Sequence, residues 1–159
     1  MILFHGSNCE FDAVSLEKSK NNRDFGRGVY TTTLEEQAIE WAEILFLRTR
    51  KGSAFLYEFE LPDFADLKVK TFSGYSLEWL TFVKENRVSG GTQHQYDVVI
   101  GPVANDKTRE TIAQYLSGAY DAEYTIKQLA YMKSNNQVSF HTEKALTGLV
   151  LKGVRKWNV

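Results

Sequence analysis

The sequence predicts an α+β fold with a mainly antiparallel sheet. Stretches with the period of a strand and stretches with the period of a helix are mixed along the chain. They do not follow the regular strand–helix–strand order that builds parallel sheets, which favours antiparallel pairing. The 159 residues contain no repeat and no linker-like segment, so a single domain over residues 1–159 is predicted.

Strands are predicted where β-branched and aromatic residues cluster or alternate. The first covers residues 2–4 and ends at His5, and the polar residues 7–23 then favour a loop with room for a short helix. In residues 53–61, apolar side chains at every second position predict a strand with one buried face. The other predicted strands are residues 28–33, 66–72, 96–103, 137–142 and 149–157.

Helices are predicted where apolar residues recur every three or four positions. The clearest covers residues 34–48, and Thr33 and Glu36 before it have the spacing of a capping box. The other predicted helices are residues 76–87, 105–116 and 121–133, with a helical turn at residues 143–146.

Composition excludes several classes of function. The formal net charge of −1 argues against a general electrostatic grip on nucleic acid, although residues 47–51 and 152–156 form small basic stretches. The single cysteine, Cys9, permits neither an intrachain disulfide nor a thiolate metal cluster, and the three histidines lack metal-ligand spacing, so no metal is expected.

Targeting signals are also missing from the pattern. Only four residues precede His5, too few for a signal peptide, and no apolar run approaches the roughly 20 residues that span a bilayer. We therefore expect a cytoplasmic protein that does not bind membranes.

Three stretches could carry chemistry: FHGS at residues 4–7, FGRGVYTT at residues 25–32 and QVSFHTEKAL at residues 137–146. His5 could bond a ligand hydroxyl, with Gly6 letting that ligand approach the backbone. The alternative is a lone histidine whose ring is satisfied within the fold. Gln137 opens the last of these stretches, and its amide can donate and accept a hydrogen bond but cannot act as a base.

The second stretch has two interpretations. Gly26 and Gly28 could form a loop that hugs a ligand, with Arg27 free to pair with a phosphate, or they could make a plain hairpin turn. Tyr30 could stack on a flat ring or be part of the core. Glu143, in the third stretch, could be a catalytic carboxylate or a favourable charge in a first helical turn.

A fourth stretch, GPVANDKT at residues 101–108, lies where a predicted strand gives way to a helix. A helix N-terminus attracts anions, which makes Asn105 a candidate ligand contact. A well-capped helix start is the alternative.

Together these stretches resemble the ADP-ribosyltransferase superfamily, in its branch with a His-Tyr-Glu signature. His5-Gly6-Ser7 is similar to the HG[ST] element of that branch, and Gly26-Arg27-Gly28-Val29-Tyr30 to its GxGxY element. DFGRGVYTT, YDVVIGPVANDKT and SFHTEKAL also resemble stretches of a bacterial family of ADP-ribosyltransferase-like proteins. Members of that family are often encoded beside a small helical partner and have been proposed as toxins of toxin–antitoxin pairs.

The resemblance implies two small, mainly antiparallel sheets with flanking helices that form a cleft for NAD. It implies an enzyme that transfers ADP-ribose from NAD to an intracellular macromolecule, either protein or nucleic acid, and a small helical antitoxin as partner. It gives Tyr30 the role of stacking on nicotinamide, and it gives contacts with NAD to His5, Gly6, Ser7, Phe25, Gly26, Arg27, Gly28 and Thr31.

The sequence departs from that branch at one position, because Gln137 stands where its catalytic carboxylate is expected. Glu143 could supply the charge, Gln137 could suffice for an acceptor that is already nucleophilic, or the chain could bind a nucleotide without transfer. An NAD-consuming hydrolase is a further alternative. An RNA-cleaving toxin is disfavoured because the chain is not basic.

Overall fold

The computed structural model describes residues 1–104, 106–131 and 135–159, apart from the side chains of residues 106 and 107. It is an α+β fold. The strands are β1 (Ile2–Ser7), β2 (Val29–Thr31), β3 (Ala54–Glu60), β4 (Val69–Thr71), β5 (Val98–Gly101), β6 (Gln137–Phe140) and β7 (Val150–Trp157). The helices in the described part are α1 (Glu35–Thr49), α2 (Leu77–Ser89), α3 (Asp106–Leu116), α4 (Ala122–Ala130) and α5 (Glu143–Thr147).

The strands form two sheets, as predicted. One has three strands in the order β1-β3-β7, and the other has four in the order β2-β6-β5-β4. Pairing is antiparallel except between β4 and β5. The two sheets meet at one bridge, where Phe4 and Thr32 exchange backbone hydrogen bonds of 2.8 and 2.9 Å.

The first hydrophobic core lies between the sheets. It contains the face of β3 that the alternation predicts, namely Phe55, Tyr57 and Phe59, followed by Leu61, and it meets Val138 and Phe140 of β6. The opposite face of β3 is also buried, since Ala54 is inaccessible and Leu56 is 2% exposed. Helix α1 packs on β1 and β3, so the half-buried strand predicted from sequence is covered on both faces.

The second core lies against the other face of the four-stranded sheet. It joins Phe25, Phe72 and Val99 to buried side chains of α2, α3 and α4. Trp79 of α2 is fully buried, and its Nε1–H donates to the Pro102 carbonyl at 3.0 Å. This contact satisfies the only polar group of a large side chain and fixes α2 against the end of β5.

Several boundaries differ from the predictions. The capping box is wrong, because Leu34 is the N-cap of α1 and makes no side-chain cap. Asn136 competes successfully for Thr33: its Oδ1 accepts from the Thr33 N–H at 3.1 Å, and its Nδ2 donates to Thr33 Oγ1 at 2.7 Å. No helix forms in residues 7–23, and only three residues of 66–72 pair as a strand.

Other local predictions are confirmed. Ser76 caps α2 by accepting from the Trp79 N–H at 3.1 Å, and Asp121 caps α4 by accepting from the Tyr124 N–H at 2.8 Å. Strand β1 runs on through Ser7, so His5 lies inside the strand rather than at its end. Among the helices of the described segments, none is both long enough and apolar enough to span a bilayer.

Candidate functional site

The candidate site lies where β1 and β2 separate beyond the Phe4–Thr32 bridge. There His5 Nδ1 is 2.7 Å from the Tyr30 carbonyl oxygen. A carbonyl can only accept, so Nδ1 carries the proton and donates it. In the neutral ring this leaves His5 Nε2 as an acceptor, and it has no partner among the residues that the structure describes.

The environment of His5 keeps its ring neutral. Burial lowers its pKa most, and the nearby positive charge of Arg23 lowers it further, while the bond to the Tyr30 carbonyl raises it. The ring packs edge-on to Phe11, with centroids 5.7 Å apart, and tilted against Tyr57. His5 is therefore an oriented, uncharged imidazole near neutral pH, with one free acceptor nitrogen.

Gly6 is required by helix α1. A Cβ at this position would lie 2.0 Å from the Ala38 carbonyl oxygen, which belongs to helix backbone that cannot move aside. Phe4 turns its N–H and C=O towards Thr32, and groups two residues apart in a strand point to the same edge. The N–H and C=O of Gly6 therefore face the gap that opens between β1 and β2.

Tyr30 is held in place by the loop that precedes β2. Its hydroxyl donates to the Gly26 carbonyl at 2.5 Å and accepts from the Phe25 N–H at 3.1 Å. Burial, with the charge of Asp24, raises the pKa of Tyr30, so the phenol stays protonated across the physiological range. This tyrosine can serve as a fixed aromatic surface, whereas its hydroxyl is occupied.

Two histidines hold the same loop through hydrogen bonds to its backbone carbonyls. His94 Nε2 is 2.7 Å from the Phe25 carbonyl and His141 Nδ1 is 2.9 Å from the Arg27 carbonyl, so each ring donates a proton to the loop. The two rings meet edge to face, with centroids 4.6 Å apart. Burial lowers the pKa of His94, and burial with the neighbouring His94 lowers that of His141 to about 4.

Close packing against neighbouring residues explains both glycines of the loop. Gly28 lies so close to β6 that a Cβ would stand 2.6 Å from the Phe140 carbonyl oxygen and 2.7 Å from His141 Nδ1. Gly26 has φ +91°, and a Cβ there would approach Asn86 Oδ1 to 2.7 Å. Both glycines are needed by neighbouring elements of the fold, so they give no evidence of a ligand.

Arg27 has protein partners in the structure, whereas the interpretation from sequence left its side chain free to pair with a phosphate. Its Nε donates to the Ser19 carbonyl at 3.3 Å, and its Nη2 donates to the carbonyls of Leu16 and Glu17 at 3.2 and 2.9 Å. The guanidinium therefore ties residues 24–28, which we call the GRG loop, to the long segment that follows β1.

Three further candidates have structural contacts. Phe25 is fully buried against Phe72 and Phe82 in the second core. Thr31 Oγ1 donates to the Val138 carbonyl at 2.7 Å. Ser7 Oγ forms a local turn with the backbone of Cys9. Asn105 lies outside the residues that the structure describes.

Gln137 is the unusual polar residue of this region. It is only 4% exposed, and its Nε2 is the buried side-chain nitrogen without a hydrogen-bond partner among the described residues. It lies two residues before Ser139, which pairs with Tyr30, so Gln137 and Tyr30 share a face of the sheet. Diagonal neighbours of this kind are roughly 7–8 Å apart.

Glu143 is not brought to this site. It is exposed and begins α5 beyond the far end of β6. That end is tied to the start of β5, since Thr142 Oγ1 donates to Asp97 at 2.7 Å, whereas Gln137 pairs with Gly101 at the end of β5. Glu143 occupies the first turn of a helix, the alternative that its position in the sequence left open.

One row of residues therefore crosses both sheets at the candidate site. Phe4 bridges Thr32, and continuing the β2–β6 register by one pair places Thr32 beside Gln137. In the next two rows lie His5, Gly6 and Tyr30.

Residues 1–151 match a family described as "Protein of unknown function (DUF3990)". The chain belongs to this family. No curated protein matches the chain.

In the part of the DUF3990 chain that the structure describes, two surface depressions have volumes of about 490 and 320 Å³, and neither is lined by His5, Tyr30 or Gln137. The larger is formed by residues 93–96 with Lys68 and Phe82, and the smaller by residues 61–67 with the end of α5. The described residues contain no cluster of three histidine, cysteine or acidic side chains with the geometry to hold a metal ion.

Sequence reasoning missed four residues that shape the site. Asp24, His94 and His141 hold the loop, and Asn136 holds Thr33. The sequence allows the two histidines to be tested only for metal-ligand spacing, because it does not show that their rings meet. Asp24 precedes the GRG element directly, but its ion pair with Arg87 spans 63 positions of the chain.

Proposed function

We propose that this DUF3990 protein is an NAD-dependent ADP-ribosyltransferase that modifies an intracellular macromolecule. The observation that carries the proposal is Gln137: a buried amide nitrogen without a partner, on the face of Tyr30 and one strand away from the bridge to β1. An unpartnered buried donor is costly, so a ligand that accepts a hydrogen bond there would relieve the fold as well as bind.

The other groups of the site suit the nicotinamide half of NAD. The Gly6 N–H and C=O face the gap between β1 and β2, and a carboxamide offers one acceptor and donors to match them. Tyr30 is a rigid aromatic surface for the ring. His5 Nε2 can accept a hydrogen bond from a ribose hydroxyl, and Gln137 Nε2 can donate one.

The transfer exchanges one bond for another at the anomeric carbon. The bond from that carbon to nicotinamide breaks, its electron pair leaves with nicotinamide, and a nucleophile of the acceptor bonds to the carbon. Positive charge develops on the ribose between these events, and fixed dipoles around it stabilise the cation. Gln137 contributes the dipole of an amide, which is weaker than a carboxylate and takes no proton.

The acceptor must therefore lose its proton without help from Gln137. A group that is already unprotonated at neutral pH, such as a nucleobase nitrogen or an anionic oxygen, fits this requirement. We also propose that the protein acts as the toxin of a toxin–antitoxin pair with a small helical antitoxin. That part of the proposal is supported by the resemblance of its sequence stretches to such toxins.

Incubation with NAD labelled on the adenylate half and with a bacterial extract tests the proposal. The wild-type protein should label a macromolecule, whereas His5→Ala and Gln137→Ala should reduce labelling at least tenfold. Glu123→Gln, at an exposed position of α4, is the matched control and should label normally. Absence of label from the wild-type reaction, together with normal growth on expression, would reject the transferase and the toxin.

A binding module without turnover is the second candidate, and the neutral amide of Gln137 favours it. In that case NAD binds in a calorimeter, but neither nicotinamide nor labelled product appears. Release of nicotinamide without labelled macromolecule would instead indicate a hydrolase. Gln137→Glu separates the candidates further, because a carboxylate there should raise turnover only if the site already performs the transfer.

A further inference from the structure

Three arginines lie in or beside the GRG loop that precedes Tyr30, and two of them have protein partners. Arg27 is bonded to three carbonyl groups of residues 16–19. Arg87 pairs with Asp24, its Nη2 and Nε lying 2.5 and 2.7 Å from Asp24 Oδ1. Arg23 is half-buried, yet its guanidinium makes no hydrogen bond or ion pair with the residues that the structure describes.

The backbone around Arg23 is fixed. Its carbonyl accepts from the Gly26 N–H at 3.1 Å, which closes a turn at the start of the GRG element. The next residue, Asp24, is anchored by Arg87 and by the Ala104 N–H at 2.9 Å. The backbone therefore holds the cationic side chain of Arg23 at a defined position. The carboxylate of the next residue, Asp24, is bonded to other groups.

The guanidinium of Arg23 belongs to the candidate site. Its positive charge acts on both His5 and Tyr30, two side chains from different sheets, and lowers the pKa of each. The turn that Arg23 closes with Gly26 also holds Tyr30, whose hydroxyl donates to the Gly26 carbonyl at 2.5 Å. Arg23 therefore lies beside Tyr30, which stands opposite Gly6 when the register of the bridge between the sheets is continued.

Two groups of this site that can only donate remain without acceptors. One is the guanidinium of Arg23, and the other is the buried Nε2 of Gln137. A half-buried cation and a buried N–H both gain from an oxygen-rich anion, and guanidinium matches phosphate oxygens in a two-pronged geometry. The chain provides donors here and no carboxylate partner for Arg23 among its described residues.

We infer that Arg23, rather than Arg27, binds a phosphate group of the ligand, and that this group is the pyrophosphate of the dinucleotide. This inference rests on the proposed function for the identity of the ligand. It also divides the site by chemistry: Gly6, Tyr30 and Gln137 face the nicotinamide riboside half, whereas Arg23 faces the phosphates.

Calorimetric titration of four ligands into the full-length protein tests the assignment. The ligands are NAD, ADP-ribose, nicotinamide riboside and inorganic pyrophosphate, and the variants are Arg23→Gln, Arg23→Lys and Lys20→Gln. Lys20 is exposed on the same segment, so its variant removes the same charge without touching the site. Thermal melts establish that each variant folds like the wild type.

Arg23→Gln should weaken NAD, ADP-ribose and pyrophosphate binding about 10- to 100-fold, the loss expected for a charge-assisted contact. Nicotinamide riboside should bind as it does to the wild type, because it carries no phosphate. Arg23→Lys should recover part of the loss, and Lys20→Gln should change affinity less than threefold, since a distant surface charge is screened.

Each other outcome has a definite meaning. Equal NAD affinity in Arg23→Gln and the wild type would overturn the assignment and leave the transferase intact. An equal loss for nicotinamide riboside would also overturn it, because Arg23 would then act on the whole site. Arg23-dependent binding of pyrophosphate, together with no labelled macromolecule in the extract assay, would support the anion site and reject the transferase. Binding of none of the four ligands would overturn both.

Discussion

The GRG loop and the candidate site beside it differ in how many of their polar groups have hydrogen-bond partners. In residues 24–28, the loop carbonyls accept from His94, His141 and Tyr30, and Asp24 is paired with Arg87. At the candidate site, the Gln137 amide nitrogen and the Arg23 guanidinium have no protein partner among the described residues. Residues of the loop that stand out in the sequence thus hold the fold, whereas Gln137 and Arg23 are the groups that we propose for a ligand.

The largest effect is expected from Gly28→Ala in the loop. The added methyl would press on the Phe140 carbonyl and the His141 ring, which are fixed in β6 and its continuation. We expect a loss of about 3 kcal/mol in the free energy of unfolding, measured by urea denaturation. Gly74→Ala is the control, because nothing lies within 4 Å of its Cβ and stability should change by less than about 0.5 kcal/mol. A similar small change for both variants would refute the close packing of the loop.

The second largest effect is expected from acid, which should lower the free energy of unfolding through protonation of His141. The pKa of His141 is about 4 in the folded protein, below its ordinary 6.5, so the unfolded chain binds the proton more readily. Stability is therefore complete above pH 6.5 and falls as the pH decreases from 6.5 towards 4, by up to about 3 kcal/mol.

Unfolding measured across this range should show the decline in the wild type, and His141→Gln should flatten it. His94 contributes in the same direction, since burial lowers its pKa too. If His141→Gln and the wild type lose stability in parallel, the clamp on the Arg27 carbonyl is not the titrating group.

Asp24→Asn should have an intermediate effect. The ion pair with Arg87 is mostly buried, with Asp24 7% exposed, and the amide would leave the guanidinium without its charge partner. We expect a loss of about 2 kcal/mol in unfolding free energy. Glu78→Gln, which breaks the surface pair with Lys70, should cost under about 1 kcal/mol. Equal losses would mean that burial does not strengthen the loop pair.

The sequence was informative where structure is local. The alternation of residues 53–61 predicts the buried face of β3, and Ser76 and Asp121 cap helices as their types suggest. It failed where a distant residue competes. Thr33 bonds to Asn136, 103 positions away, so the local capping box does not form.

The candidate site shows the same division. Contact between His5 and Tyr30 depends on the single bridge between the sheets, which no local pattern encodes. Arg23 and Arg27 lie four positions apart in one loop, and only the three-dimensional path of residues 16–19 decides which of them is occupied. Gln137 was recognised from its position in the last stretch, but its missing partner is visible only in the fold.

The smallest expected change in stability is also the most direct test of the contrast. Methionine at position 137 keeps the length of glutamine and removes the unpartnered donor, so Gln137→Met should raise the free energy of unfolding by about 1 kcal/mol. It also removes the group that we assign to the ligand. Stability and NAD binding should therefore move in opposite directions in this one variant.

Urea unfolding and calorimetric NAD titration of Gln137→Met beside the wild type measure both quantities. We predict a more stable protein that binds NAD at least tenfold more weakly. A variant that is less stable than the wild type, or that binds NAD equally well, would contradict the claim that Gln137 is held unsatisfied for a ligand.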